Sequence, residues 1–172
     1  MTDTVWAPWR LEFIEGKLEK ETGCIFCNRF HIDESEFLKY LVLWRSADTL
    51  VMMNRYPYTN AHLLVVADFH TGNIAQLPPE VMSRLSLTVQ AAANCLSTAL
   101  GMQGMNIGMN HGVCAGAGIA EHLHWHIVPR WAGDNNFMPV ISDTRVMPQY
   151  LEETWHVLRP HFQKLEIPVI NG

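Results

Sequence analysis

The stretch HLHWHIV at residues 122–128 alternates strictly between imidazole and apolar side chains. Period two marks an extended strand, whose successive side chains leave opposite faces, whereas residues two apart do not share a helix face. The segment therefore reads as a strand with His122, His124 and His126 on one side and Leu123, Trp125 and Ile127 on the other. The apolar side must then be covered by a helix, while the histidine side forms an open surface of reactive groups on a rigid element. Three neutral imidazoles on one face can bind a metal, move protons or attack as nucleophiles, since an unperturbed pKa of about 6.5 leaves them mostly unprotonated at neutral pH. By contrast, His31, His156 and His161 stand alone and read as surface or satisfied core residues rather than ligands.

The rest of the chain supplies the partners such a strand needs. FLKYLVLWRS (37–46), TLVMMN (49–54) and HLLVVA (62–67) read as strands, the last two joined by a turn containing Pro57 and Asn60. Between Pro78 and Gly101 the apolar positions Met82, Leu85, Val89, Ala92, Leu96 and Leu100 recur at steps of three or four. With prolines in the first turn and glycine at the end, this is a long amphipathic helix whose stripe is core. GMNIGMN (104–110) reads as a strand weakened by two glycines. A second helix begins near Gln149, with Pro160 kinking or ending it. Antiparallel hairpins with helices on one face define an α+β fold, and 172 residues without repeat or linker read as a single domain.

Composition narrows the function. An apolar fraction of 48% and a charged fraction of 17% suit a globular chain, and a net charge of −5 argues against a broad grip on nucleic acid. A small polyanion is still compatible, because local donors can outweigh the net field. No apolar run is long enough to span a membrane and no signal-peptide pattern opens the chain, so a soluble, cytoplasmic protein is expected. Directly before the histidines, GVCAGAG places Gly112, Gly116 and Gly118 where backbone N–H groups can converge on an anion. A glycine turn feeding three in-line histidines suggests a phosphate held by main-chain amides beside a nucleophile.

These motifs resemble the HφHφHφφ signature of the histidine-triad (HIT) superfamily of nucleotide hydrolases and transferases, and the resemblance covers roughly residues 24–140. WAPWR near the N-terminus, AGAG, and PRWAGDNNFMPV after the triad look most like its bacterial diadenosine tetraphosphate (Ap4A) phosphorylase branch. The resemblance implies that His124 attacks an α-phosphate to form a nucleotidyl-histidine, with His126 and His62 around the phosphate, Asn54 near the ribose and Asn110 near the phosphates. Many hydrolase members carry glutamine or serine just before the triad. Here Gly118 and Ile119 stand there, which leaves room for inorganic phosphate as the attacking group. Water as acceptor, with dinucleoside polyphosphates or nucleoside phosphoramidates as substrates, is the alternative, and a non-catalytic nucleotide-binding or zinc-stabilised interaction module is the rival of another class. A homodimer with joined sheets is also implied.

Cys24 and Cys27 have the C-x-x-C spacing that lets two thiolates chelate zinc, although a redox pair or two buried cysteines share it. Cys95 lies within the helical stripe and Cys114 in the glycine turn, so two further ligands would be histidines. By resemblance to zinc-bearing relatives these are His70 and His122, in a structural Cys2His2 site that pins the N-terminal segment to the catalytic strand. Arg10, Arg55, Arg130 and Arg145 are read mainly as solvated, and Trp6, Trp9 and Trp131 as packing residues.

Overall fold

A computed structural model describes residues 21–134 and 149–168. Trp6, Trp9, Arg10, Arg145 and the NFMPV motif lie outside the described residues. The elements run α1 (Ile25–Arg29), α2 (Phe37–Tyr40), β1 (Val42–Arg45), β2 (Thr49–Met53), β3 (Leu63–Ala67), α3 (Pro79–Leu100), β4 (Gly104–Met109), β5 (His124–Arg130) and α4 (Leu151–Phe162). The five strands form one antiparallel sheet in the order β1-β2-β3-β5-β4, the α+β architecture expected.

Alternation along each strand divides the molecule into two layers. Val51 and Met53 of β2, Leu63, Val65 and Ala67 of β3, and Trp125 and Ile127 of β5 all face α3 and α4. Their sequence neighbours Leu50, Met52, Leu64 and Val66 face the opposite way, into a smaller cluster with Phe26 and Phe37. Because Leu64 pairs with His126 and Val66 with His124, the two histidines stand on that second face, beneath α1. β2 and β3 are buried on both faces and so read as continuous apolar runs. The α3 stripe meets the larger layer through Leu85, Val89, Ala92 and Leu96, and Gly101 closes the helix in the left-handed region at φ 57°.

Three expectations need correcting. Residues 37–46 are not one strand: Phe37–Tyr40 is a helical turn closed by Leu41 in the left-handed region at φ 60°, and only Val42–Arg45 pairs. Phe37 and Tyr40 serve packing rather than the ladder, with Phe37 buried beneath the guanidinium groups of Arg45 and Arg159. Of the two readings of Pro160, the one that ends the helix fails: α4 runs on to Phe162, since in the last turns of a helix one missing N–H disturbs few bonds. β5 begins only at His124, so His122 lies in the turn before it, where Leu123 N–H donates to the Thr71 carbonyl instead of a ladder partner.

The two sheet edges differ. On β1 the Trp155 indole N–H donates to the Val42 carbonyl at 2.8 Å and Arg159 donates to the Leu43 carbonyl, so α4 covers that edge. β4 at the other edge has no strand beyond it among the described residues, and its Ile107 is exposed. No helix among the described residues is long and apolar enough to cross a membrane.

Candidate active site and metal centre

The histidines do not line an open surface. His62, His122, His124 and His126 are 1%, 0%, 5% and 9% exposed, because α1 and the β2–β3 hairpin close over them. Burial disfavours the charged imidazolium, so all four pKa values lie below the ordinary 6.5. Burial and the neighbouring His126 take His62 down to about 3, and burial with His124 takes His126 to about 4.

With the rings neutral, each has one donor and one acceptor nitrogen, and the network assigns them. The Tyr58 backbone N–H donates to His62 Nδ1 at 3.1 Å, and the Asn54 amide nitrogen lies 3.3 Å from the same atom. The His62 proton is therefore on Nε2, which donates to His126 Nδ1 at 2.9 Å. His126 must then carry its own proton on Nε2, a buried atom with no hydrogen-bond partner among the described residues. In His124 the polarity is opposite: Nδ1–H donates to the His122 carbonyl at 2.9 Å, leaving the lone pair on Nε2. Adjacent rings, with centroids 4.9 Å apart, thus offer one nucleophilic nitrogen and one N–H donor.

Both rings line a cleft of about 590 Å³. Asn54, Gly116 and Gly118 line it too. Gly116 sits at φ 89°, a conformation that favours glycine. The Asn110 amide N–H reaches the Gly116 carbonyl at 3.5 Å, but Asn110 lines a neighbouring groove of about 410 Å³ that His126 also borders, not this cleft. His62 stands behind His126 rather than in the cleft wall. Arg55 lines the cleft, and Arg130 is engaged by both carboxylate oxygens of Asp134. Trp131 is half-buried, and His31, His156 and His161 are exposed, as solitary histidines should be.

Cys24, Cys27, His70 and His122 form a second cluster whose ligand atoms all lie within 4.8 Å of one another. Sγ–Nδ1 separations are 3.3 Å for Cys24–His122, 3.4 Å for Cys27–His70 and 3.6 Å for Cys27–His122. Bonds of about 2.3 Å to sulfur and about 2.0–2.1 Å to nitrogen in a tetrahedron require an edge of roughly 3.6 Å, so the donors fit zinc. His122 Nε2–H donates to the Ala67 carbonyl at 2.9 Å, which turns the Nδ1 lone pair toward the sulfurs. Burial and the adjacent Cys24 push the Cys27 thiol up to about 11, so paired thiolates require a cation beside them.

Four contributors carried no sequence signal. Gly72 has no turn motif around it, yet a Cβ there would collide with the Ala120 carbonyl; its absence lets the loop after His70 lie against the turn holding His122. Phe26 sits in the middle of C-x-x-C and packs on both His122 and His124, at 5.4 and 4.9 Å between centroids. Arg29 and Glu21 line the cleft far from the triad in sequence.

Acid should destabilise this core. His62 and His126 titrate at the ordinary 6.5 when unfolded and at about 3 and 4 when folded. The unfolded chain therefore binds more protons below pH 6.5, and stability falls as pH drops from there toward 4. Each ring contributes at most about 1.4 kcal/mol per pH unit. Urea midpoints measured between pH 7.5 and 4.5 should decline below 6.5, and a flat profile would contradict the buried neutral network.

The HIT domain family matches residues 38–133, and the chain belongs to it. Among its relatives, the AP-4-A phosphorylase of Mycobacterium tuberculosis is 31% identical over 158 residues, 90% of this chain and 81% of that protein. Adenylylsulfatase HINT3 of Arabidopsis thaliana is 29% identical over 130 residues, 70% of this chain and 64% of that protein. A Zn-bound histidine triad family protein from Mycobacterium smegmatis superposes with a TM-score of 0.65 at 27% identity, covering 83% of this chain and 94% of the other.

Proposed function

We propose that the chain is a nucleotidyl-transferring HIT enzyme that cleaves diadenosine polyphosphates, Ap4A foremost, through a covalent nucleotide on His124. The observation that carries this reading is the opposed polarity of two neighbouring rings, His124 with an Nε2 lone pair and His126 with an unpartnered Nε2–H, in one cleft. His124 Nε2 attacks the α-phosphorus, forming a P–N bond as the P–O bond to the leaving ATP breaks. The His124 Nδ1–H remains on the His122 carbonyl, which stabilises the imidazolium character of the adduct. His126 Nε2–H donates to a phosphoryl oxygen, and its Nδ1 is held by His62. Asn54 orients His62 and reaches the ribose; Gly116 and Gly118 bring main-chain amides to the phosphates, and Asn110 holds that loop.

Gly118 and Ile119 offer the intermediate no side-chain hydrogen bond, which supports inorganic phosphate as acceptor. Its oxygen would form the new P–O bond, the P–N bond would break, and ADP would leave with His124 restored. Incubation with Ap4A should give ADP and ATP only when phosphate is added. Equal turnover without phosphate, with AMP as product, would assign water as the acceptor instead.

Zinc held by Cys24, Cys27, His70 and His122 would fix α1 to the turn before β5 and supply no chemistry at phosphorus. The M. smegmatis relative and the donor spacing support it. A homodimer joined through β4 is supported by the covered β1 edge and by the exposed Ile107 on β4. Sedimentation should report a dimer at micromolar concentration and a shift toward monomer for I107K. A wild-type monomer would contradict the pairing.

A further inference from the structure

The triad accounts for chemistry at phosphorus, but not for the charged pair Arg29 and Glu21 that lines the same cleft. Helix α1 places Phe26 on His124 and, one helical turn later, Arg29 in the cleft wall. The same lining includes the apolar side chains of Ile25, Leu41, Met52, Leu64 and Ile119, surface of the kind a flat heterocycle requires. Arg29 is 6% exposed, its Cζ lies 3.8 Å from the Tyr40 ring centroid, and its Nη2 pairs with Glu21. Among the described residues Glu21 is the only acceptor for this guanidinium, and Nε–H is buried without a partner. A buried cation with spare donors is undersatisfied until a ligand offers an acceptor. Glu21 Oε1 is committed to Arg29, while among the described residues Oε2 has only a 3.4 Å contact with the Asn28 amide, so it can accept from a ligand.

We propose that Arg29 and Glu21 read the nucleobase, the guanidinium donating to a ring nitrogen and the carboxylate accepting from an exocyclic amino group. Adenine presents that pair side by side, its N6 amino group next to the N7 acceptor, whereas guanine presents two acceptors, O6 and N7, on the same edge. Its O6 would face the carboxylate. The selection is therefore for adenine over guanine, and it rests on the nucleotide reading of the cleft.

Titration calorimetry with AMP, GMP and CMP tests it without turnover. The wild type should favour AMP over GMP by about tenfold or more. R29M and E21Q should both cut that preference to within about threefold, and R29K should restore it only in part, since an ammonium lacks the planar fork. E21Q replaces a partly exposed side chain and guards against misfolding of R29M. With matched dinucleoside polyphosphates the loss should fall on KM more than on kcat. Equal loss of affinity for all three nucleotides, or an unchanged preference, overturns base reading while the cleft remains a nucleotide site. A wild type that binds none of the three overturns both.

Discussion

Replacing His124 with alanine should lower turnover of Ap4A by about 10⁴-fold or more while AMP still binds within about tenfold of the wild-type affinity. The size follows from what the ring alone contributes. Its Nε2 holds the lone pair, because Nδ1–H is fixed on the His122 carbonyl, and no neighbouring imidazole has that polarity facing the cleft. His126 cannot take over: its Nδ1 lone pair is occupied by His62, and its Nε2 carries the proton. Steady-state and single-turnover rates for H124A check this directly. A loss of only ten- to a hundredfold would mean that water attacks the substrate without a covalent step. An unchanged rate would point to a different site.

The second large effect concerns stability. C24S combined with C27S should release about one equivalent of zinc and lower stability by about 3 kcal/mol or more, a fall in Tm of roughly 6–12 °C. Four chain segments meet in the cluster: the turn before α1, α1 itself, the loop after β3 and the turn before β5. The two cysteines flank Phe26, which buttresses His122 and His124, so unclamping α1 would also loosen His124 and the cleft wall. Metal analysis and calorimetric melting of wild type and variant measure both parts. Wild-type protein with negligible zinc, or a double variant melting with the wild type, would remove the metal from the account.

Much of this was legible because the period of the side chains carries it. HLHWHIV announces a two-faced strand, and the α3 stripe announces its helix. The split of residues 37–46 was not legible, since Phe37, Leu38 and Tyr40 suit a strand or a buried turn equally; Leu41 in the left-handed region decides, and nothing local marks it. Burial of the histidines was also missed. An alternating strand shows which residues share a face, but the cover on that face comes from α1, nearly a hundred residues away. The gathering of Cys24, Cys27, His70 and His122 followed from likeness to relatives rather than from spacing. Arg29 and Glu21 gave no signal, because a cation and an acid eight residues apart look like solvated charges until the cleft brings them together.

The most direct test of the account is to catch the intermediate. Wild-type protein mixed with Ap4A without phosphate, quenched within the first turnover and digested, should yield a peptide spanning residues 122–130 heavier by one adenylyl group. Fragmentation should place that mass on His124. Burst-phase release of ATP with no adenylylated peptide, or the adduct on another residue, would contradict it.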